Sequence, residues 1–230
     1  MATVLLTGFE PFADEPVNPS GDVLPLVAQD WDRPERLVTA VLPVEYAGSR
    51  TALEALLAEH RPDVVVALGL ALGRDAVTPE TTAVNEQSAR IPDNAGDQPQ
   101  GEPVVPGAAA TEPSSLPLAA VHAALRAAGV PEAPSHDAGR FVCNHVFFLL
   151  QHAHGRLDDP SAARTGFVHV PSYDVVSRPE LARAVRVVLD AALDTEERGG
   201  PAAAAPGTPD PQPSARHLPA PGADAAPPLP

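Results

Sequence analysis

Val64-Val65-Val66-Ala67-Leu68-Gly69 is an unbroken apolar run stopped by glycine. A strand with one face in water alternates apolar and polar residues. A run with no polar position belongs to a strand buried on both faces, as in a parallel sheet covered by helices on each side. The segments around it fit that frame. Upstream, Leu53, Leu56 and Leu57 mark a helix face at i, i+3, i+4 that ends before Pro62, and Leu37–Val44 is a second β run. Thr3–Thr7 is a shorter β run closed by Gly8. Asn18-Pro19-Ser20 reads as a helix start, with Val23, Leu24, Leu26 and Val27 as its apolar positions.

Downstream, Thr81–Asn85 is a fourth strand candidate, and Glu86–Pro113, rich in Pro, Gly and polar residues, reads as loop. A helix is expected from about Leu116, capped by Ser115 with Pro117 in its first turn. Leu118, Val121 and Leu125 are its stripe and Gly129 its stop. Pro134–Asp137 reads as a short strand and Gly166–Val170 as the last one. Leu181, Val185, Val188 and Ala192 mark the final helix. Strands and helices alternating at these lengths give an α/β fold, a three-layer α/β/α sandwich with a mostly parallel twisted sheet. From Gly199 the composition turns to Pro and Ala, which cannot bury enough apolar surface to offset the cost of ordering. The expected organisation is one α/β domain over residues 1–195 and a Pro/Ala-rich disordered tail over 196–230.

Composition excludes several function classes. The net charge is −15, with 30 acidic residues against 15 basic ones, all arginine, so no basic surface is available for a nucleic acid backbone. No stretch approaches the ~20 apolar residues of a membrane span. The start, Met1-Ala2-Thr3-Val4-Leu5-Leu6, reads as a strand and not as a secretory leader. The single cysteine permits no internal disulfide and fits a reducing compartment, so the expected location is cytoplasmic.

That cysteine sits in Ala138-Gly139-Arg140-Phe141-Val142-Cys143-Asn144. Gly139 breaks the backbone, and an apolar run from Phe141 to Leu150 follows at helical length. A helix starting at or just before Cys143 places the sulfur at the positive end of the dipole, which favours thiolate over thiol. The competing reading is a buried cysteine acting as a small hydrophobe. Two further polar residues fall where sites assemble in open α/β sheets: Glu80 just before a strand, and His169 inside the last strand before Pro171. A cysteine hydrolase needs a thiolate, a histidine to protonate the leaving amine, and a group that orients the histidine. Eight histidines make residue type alone a weak guide. His145, His152 and His154 lack zinc-like spacing, His122 and His136 read as surface residues, Asp93 and Asn94 as turn formers, and Trp31 as packing.

Four blocks carry a resemblance: Thr7-Gly8-Phe9-Glu10-Pro11-Phe12 with Asn18-Pro19-Ser20; Gly69-Leu70-Ala71-Leu72-Gly73-Arg74 through Glu80 and Ala83-Val84-Asn85 to Ala89-Arg90-Ile91-Pro92-Asp93-Asn94; the Cys143 block; and Gly166-Phe167-Val168-His169-Val170-Pro171. Their order and spacing resemble the pyroglutamyl peptidase I (pyrrolidone-carboxylate peptidase) family of cysteine peptidases. The resemblance implies removal of an N-terminal pyroglutamyl residue from peptides without a cofactor or metal, and a tendency to homo-oligomers. It makes Cys143 the nucleophile, His169 the general acid/base and Glu80 the group orienting His169. Phe9 and Phe12 would flank the lactam ring, Asn18 would fix their loop, and Arg90 would lie close by, for oxyanion stabilisation or pocket shaping. A pyroglutamyl group carries no ammonium, so flat apolar walls suit it. A homologue that binds such ligands without turnover, or a redox-sensing thiol protein, are the competing functions.

The chain departs from the family pattern at three places. Ala13-Asp14 follows the second Phe where the family carries glycine. Leu72 replaces a small residue. After Pro171, Ser172-Tyr173 runs almost directly to the helix near Pro179, where the family has a longer loop.

Overall fold

The computed structural model describes residues 1–13, 15–154 and 163–194, all within one compact unit, Met1–Glu197. Asp14 and the Pro/Ala-rich segment 196–230 lie outside the described residues. In chain order the first half contains β1 (Thr3–Phe9), α1 (Pro19–Asp22), α2 (Leu24–Gln29), β2 (Arg36–Leu42), α3 (Tyr46–His60), β3 (Val64–Leu70) and β4 (Thr78–Pro79). There follow β5 (Thr82–Val84), β6 (Gln87–Ser88), β7 (Gln100–Glu102), β8 (Thr111–Pro113), α4 (Leu118–Ala127), α5 (Val142–His154), β9 (Arg164–Val170) and α6 (Arg178–Asp194).

The central sheet has the order β2-β1-β3-β9-β4. Its first four strands are parallel, and β4 runs antiparallel to β9. The Val64 run is β3, buried along its whole length. Successive residues of a strand point to opposite faces, and the two cores divide accordingly. Val4, Leu6, Val64, Val66, Leu68, Val168 and Val170 meet α1, α2, α4 and α6 on one face. Leu5, Phe9, Val65, Ala67 and Phe167 meet α3 and α5 on the other. The layers are those of an α/β/α sandwich.

Helix ends follow local chemistry. Asn18 caps α1 by accepting from the Ser20 N–H at 3.1 Å, with Pro19 in the first turn. At the end of α4, Gly129 adopts φ +68°, the Val130 N–H donates to Leu125 O and the Gly129 N–H to Arg126 O, both at 3.0 Å. This double return satisfies carbonyls the helix would otherwise leave open.

Several expectations are corrected. Ser115 does not cap α4, which starts at Leu118 without a side-chain cap. The Ser115 hydroxyl instead donates to Thr165 O of β9 at 3.1 Å. The strand candidate at Thr81–Asn85 forms β5, but it pairs with β8 outside the central sheet. Residues 86–113 are not plain loop: β6 pairs with β7, and β8 closes on β5. Pro134–Asp137 forms no strand; only an isolated bridge joins Ser135 to Glu80. His122 is half-buried and pairs with Glu132, which also takes Arg126 at 2.7 Å.

The departures from the family pattern have visible consequences. Ala13 takes φ +51°, a left-handed conformation that glycine adopts without strain. The short β9–α6 connection turns at Ser172, which accepts from the Val175 and Val176 N–H groups. It is tied to α1, because Tyr173 Oη donates to Asp22 Oδ2 at 2.7 Å and Arg178 Nε pairs with the same oxygen at 2.7 Å.

Candidate active site

The parallel strands end together, and β3 and β9 run in register with Gly69 beside His169. Above this pair lies the first turn of α5. Gly139, at φ +77°, lets the chain double back before the helix. Fully buried Asn144 then fastens the first turn to the strand region below. Its amide accepts from the Val84 N–H at 2.9 Å and donates to Val84 O at 2.8 Å and Glu86 O at 2.9 Å. The face behind it, Val146, Phe147, Phe148 and Leu150, is buried to 1 % exposure or less. Each such side chain contributes about 1.5–3 kcal/mol on burial, so the helix start is rigidly placed.

Cys143 Sγ projects onto the sheet at Gly69. A Cβ built on Gly69 would stand 2.7 Å from that sulfur and 2.7 Å from Phe167 Cζ. The glycine is required by this close approach and not by its dihedral angles. On the same face, the His169 ring packs against Phe167 with centroids 4.9 Å apart. His169 Nδ1 lies 2.7 Å from Glu80 Oε1. Glu80 is fully buried, its backbone N–H held by Phe167 O at 2.9 Å. Facing a carboxylate, Nδ1 carries the proton, which leaves Nε2 with a lone pair.

The ionisation of these groups follows from burial and neighbours. Burial alone would push the Glu80 carboxyl up, but the hydrogen bond from His169 and the charge His169 carries when protonated, with help from Ser135 and Arg74, hold it below the usual carboxylate range. Burial lowers His169, against the opposing pull of Glu80. Cys143 is pushed up to about 12, first by burial and then by the Glu80 charge; Arg74 and the residue's own backbone N–H act in the other direction. The expectation of a resting thiolate is therefore corrected. The dipole of α5 favours the anion locally, but desolvation and a buried carboxylate outweigh it, so the resting pair is thiol and neutral imidazole.

A cavity of about 580 Å³ opens over the sulfur, its lining including Phe12, Leu70, Leu72, Arg74, Gly139 and Phe141. Behind it a narrow apolar cleft of about 10 Å³ runs between Phe9, Asn18, Val44 and Val142. The structure thus brings Phe12, Arg90, Cys143 and His169 to the cavity and sets Glu80 one layer deeper. Phe9 and Asn18 stand behind its wall. Phe9 is 2 % exposed and packs on Phe167 with centroids 6.5 Å apart, so it reaches the cleft but not the main cavity. Asn18 holds the aromatic loop by donating to Glu10 O at 2.9 Å. Arg90 is exposed and lines the cavity, as do Ile91 at 39 % and Leu72 at 57 % exposure. No residue of the β9–α6 connection lines the cavity.

Other residues around the cavity were not assigned a place in the site from the sequence. Phe141, next to the nucleophile candidate, faces Phe12 with centroids 6.1 Å apart and meets the edge of Tyr46 at 5.8 Å. Its place beside Cys143 was the available signal. Asp93 does form its turn, accepting from the Ala95 and Asp97 N–H groups, but its second oxygen also accepts from the Tyr46 N–H at 2.9 Å, where α3 begins. Asn94 donates to Glu10 Oε1 at 2.8 Å and Pro11 O at 3.1 Å and so braces the aromatic loop from the far side. Buried His145 bonds Gln87 at 2.9 Å. Among the described residues, no three His, Cys, Asp or Glu side chains are grouped to hold a metal ion, and no helix is long and apolar enough to cross a membrane.

Comparison with known proteins places this arrangement. The model of the pyroglutamyl peptidase family matches residues 2–187. A pyrrolidone-carboxylate peptidase of Clavibacter michiganensis subsp. michiganensis is 47% identical over 171 residues, covering 74% of this chain and 79% of that protein. The crystal structure of pyroglutamyl peptidase I from Bacillus amyloliquefaciens superposes with a TM-score of 0.77 at 34% identity, over 83% of this chain and 94% of that one. The pyrrolidone carboxyl peptidase of Pyrococcus furiosus superposes with a TM-score of 0.79 at 34% identity, over 84% and 99%.

Proposed function

The chain belongs to the pyroglutamyl peptidase family of cysteine peptidases, and we propose that it hydrolyses the amide following an N-terminal pyroglutamyl residue of peptides, with Cys143 as nucleophile, His169 as general acid/base and Glu80 as the group orienting His169. The observation that carries this reading is the sulfur lying over Gly69, with His169 at its side and Glu80 2.7 Å behind the imidazole.

The chemistry follows from the protonation states. As Cys143 Sγ attacks the carbonyl carbon, its proton passes to His169 Nε2. The buried imidazolium is stabilised by Glu80, to which Nδ1–H already points. The carbonyl oxygen becomes an oxyanion, to which we assign the N–H groups of the first turn of α5 and the guanidinium of cavity-lining Arg90 as positive partners. The C–N bond then breaks as His169 returns the proton to the leaving amine, leaving a thioester on Cys143. A water gives its proton to His169, attacks the thioester and releases pyroglutamate and the free thiol.

Because deprotonation is coupled to attack, a raised thiol pKa does not preclude activity. It keeps the sulfur unreactive until a carbonyl is in place. We place the lactam ring in the larger cavity, against the wall formed by Phe12 and Phe141. The cleft behind, at about 10 Å³, has room for about one water and not for a ring. Phe9 lines that cleft beside Phe12 and Phe141, and Asn18 and Asn94 hold the loop that carries Phe12.

The test is cleavage of pyroglutamyl p-nitroanilide, with alanyl p-nitroanilide as the charged-amine control. The reading expects hydrolysis of the first only, and its loss in Cys143→Ser at unchanged circular dichroism. Binding of pyroglutamate without turnover, or full activity in Cys143→Ser, would overturn it.

A further inference from the structure

Glu80 presents an unsolved problem of charge. Its side chain is fully buried, and its Oε2 has no hydrogen-bond partner among the described residues. A carboxylate taken out of water in this state costs several kcal/mol unless a cation compensates it. His169 supplies a hydrogen bond but no charge while it is neutral. A protonated Glu80 would hold His169 weakly and give the imidazolium nothing to lean on.

The cation is Arg74, from the connection between β3 and β4. Its Nη1 donates to Glu80 Oε1 at 2.7 Å, the same oxygen that faces His169. The guanidinium is itself fixed from two further sides. Nη1 also bonds Thr78 Oγ1, and Thr78 pairs with His169 in the β4–β9 ladder. Nη2 donates to Asp137 O at 2.9 Å, in the loop that leads to Cys143. Arg74 is 27 % exposed and lines the cavity beside His169, so the cation reaches buried Glu80 while still touching water. A planar fork spreads these three bonds over two nitrogens and so spans Glu80 and the Asp137 carbonyl together, a reach that the single nitrogen of an ammonium group lacks.

We propose that Arg74 is a positioning residue: it keeps Glu80 charged against His169 and ties that pair to the loop that sets Cys143. The inference rests on the triad reading above. The charged and titratable groups around the pair are Arg74, Asp137 from the loop before α5, and Cys143 on α5 itself. Asp137 is engaged by Arg140 Nη1 at 3.0 Å and the Gly139 N–H at 3.0 Å. Removing the Arg74 charge lets Glu80 take up a proton at higher pH, makes His169 easier to protonate, and makes the thiol harder to ionise. All three changes move the active window toward alkaline pH.

The experiment compares Arg74→Met and Arg74→Lys with the wild-type chain, reading kcat and KM for a pyroglutamyl amide across pH. It also reads, in the full chain, the low-field proton resonance of the His169 Nδ1–H. For Arg74→Met the expectation is a loss of about 10- to 100-fold in kcat with KM changed less than about threefold. Its acid limb should lie about one pH unit higher, and the ring proton should move upfield. Arg74→Lys keeps the charge and loses the fork, so its limb and ring proton stay in place while kcat recovers in part. Two results overturn the proposal: Arg74→Met with wild-type kcat, limb and ring proton, or both variants losing activity alike with an unmoved limb, which describes a structural prop. If Arg74→Met does not fold, an alkaline limb in Arg74→Lys overturns it equally. A wild-type chain inactive on the amide would instead sink the functional reading, and the ring proton would still decide the role of Arg74.

Discussion

Gly69→Ala is a one-methyl perturbation aimed at the contact on which the site depends. The added Cβ would meet Cys143 Sγ at 2.7 Å, Phe167 Cζ at 2.7 Å and Phe167 Cε1 at 3.0 Å. Ordinary contacts begin near 3.4 Å, so something must retreat by about 0.7 Å. Phe167 cannot give easily. It is fully buried, with Phe147 at 5.9 Å, Phe9 at 6.5 Å and His169 at 4.9 Å between ring centroids. The sulfur, half-buried beneath an open cavity, is the softer neighbour. Overpacking of this kind costs about 1–3 kcal/mol, or roughly 2–4 °C in Tm per kcal/mol for a chain of this size. A nucleophile displaced by most of an ångström costs on the order of 100-fold in rate. Thermal denaturation and amide hydrolysis read the two effects separately, and kcat should fall far more than stability does. A variant with wild-type Tm and kcat within about twofold would mean that the sulfur does not lie over Gly69.

Three further outcomes are expected. Alkylation of Cys143 by iodoacetamide without substrate should rise with pH to a midpoint above the ~8.5 of a free thiol, because burial and Glu80 raise the thiol; a midpoint below neutrality would refute the thiol–imidazole resting state. Asn144→Ala takes the side-chain partner from the Val84 N–H and from Glu86 O beneath α5, so it should cost about 2–4 kcal/mol in denaturant unfolding together with most of the activity; wild-type stability would refute its anchoring role. Ala13→Gly releases a left-handed alanine worth about 1–2 kcal/mol, less the added freedom of the unfolded chain, about 0.4–1 kcal/mol, so Tm should rise by a degree or two; a lower Tm would show that the turn is not strained.

What could be read from the sequence was what local patterning dictates. The Val64 run, the Asn18 cap and the Gly139 break each carry their reason within a few residues, and they gave the sheet, α1 and the start of α5. Features set by distant partners were not legible. Ser115 looks like a cap until Thr165, fifty residues on, takes its hydroxyl. The strands β6, β7 and β8 are two or three residues of Gln, Ser, Glu, Gly, Thr and Pro, too short to alternate, and exist through pairing alone. The charge state of Cys143 failed for the same reason: the helix dipole is visible in sequence, while the burial of Glu80 is not. Arg74 was quoted within a motif, yet nothing local showed that its guanidinium turns onto Glu80. Blocks matched in order along the chain were what proposed Glu80 and His169 as partners for Cys143, which no single residue could do.

The measurement that tests the central claim most directly is covalent trapping. The chain is mixed with a pyroglutamyl thioester or ester at low temperature, quenched in acid within its first turnover, and digested for mass spectrometry. The account predicts one pyroglutamyl group on the peptide containing Cys143, absent in Cys143→Ala and longer-lived in a His169→Ala variant that forms it slowly. Turnover of the same substrate with no adduct on Cys143, or with the adduct on another residue, would contradict it.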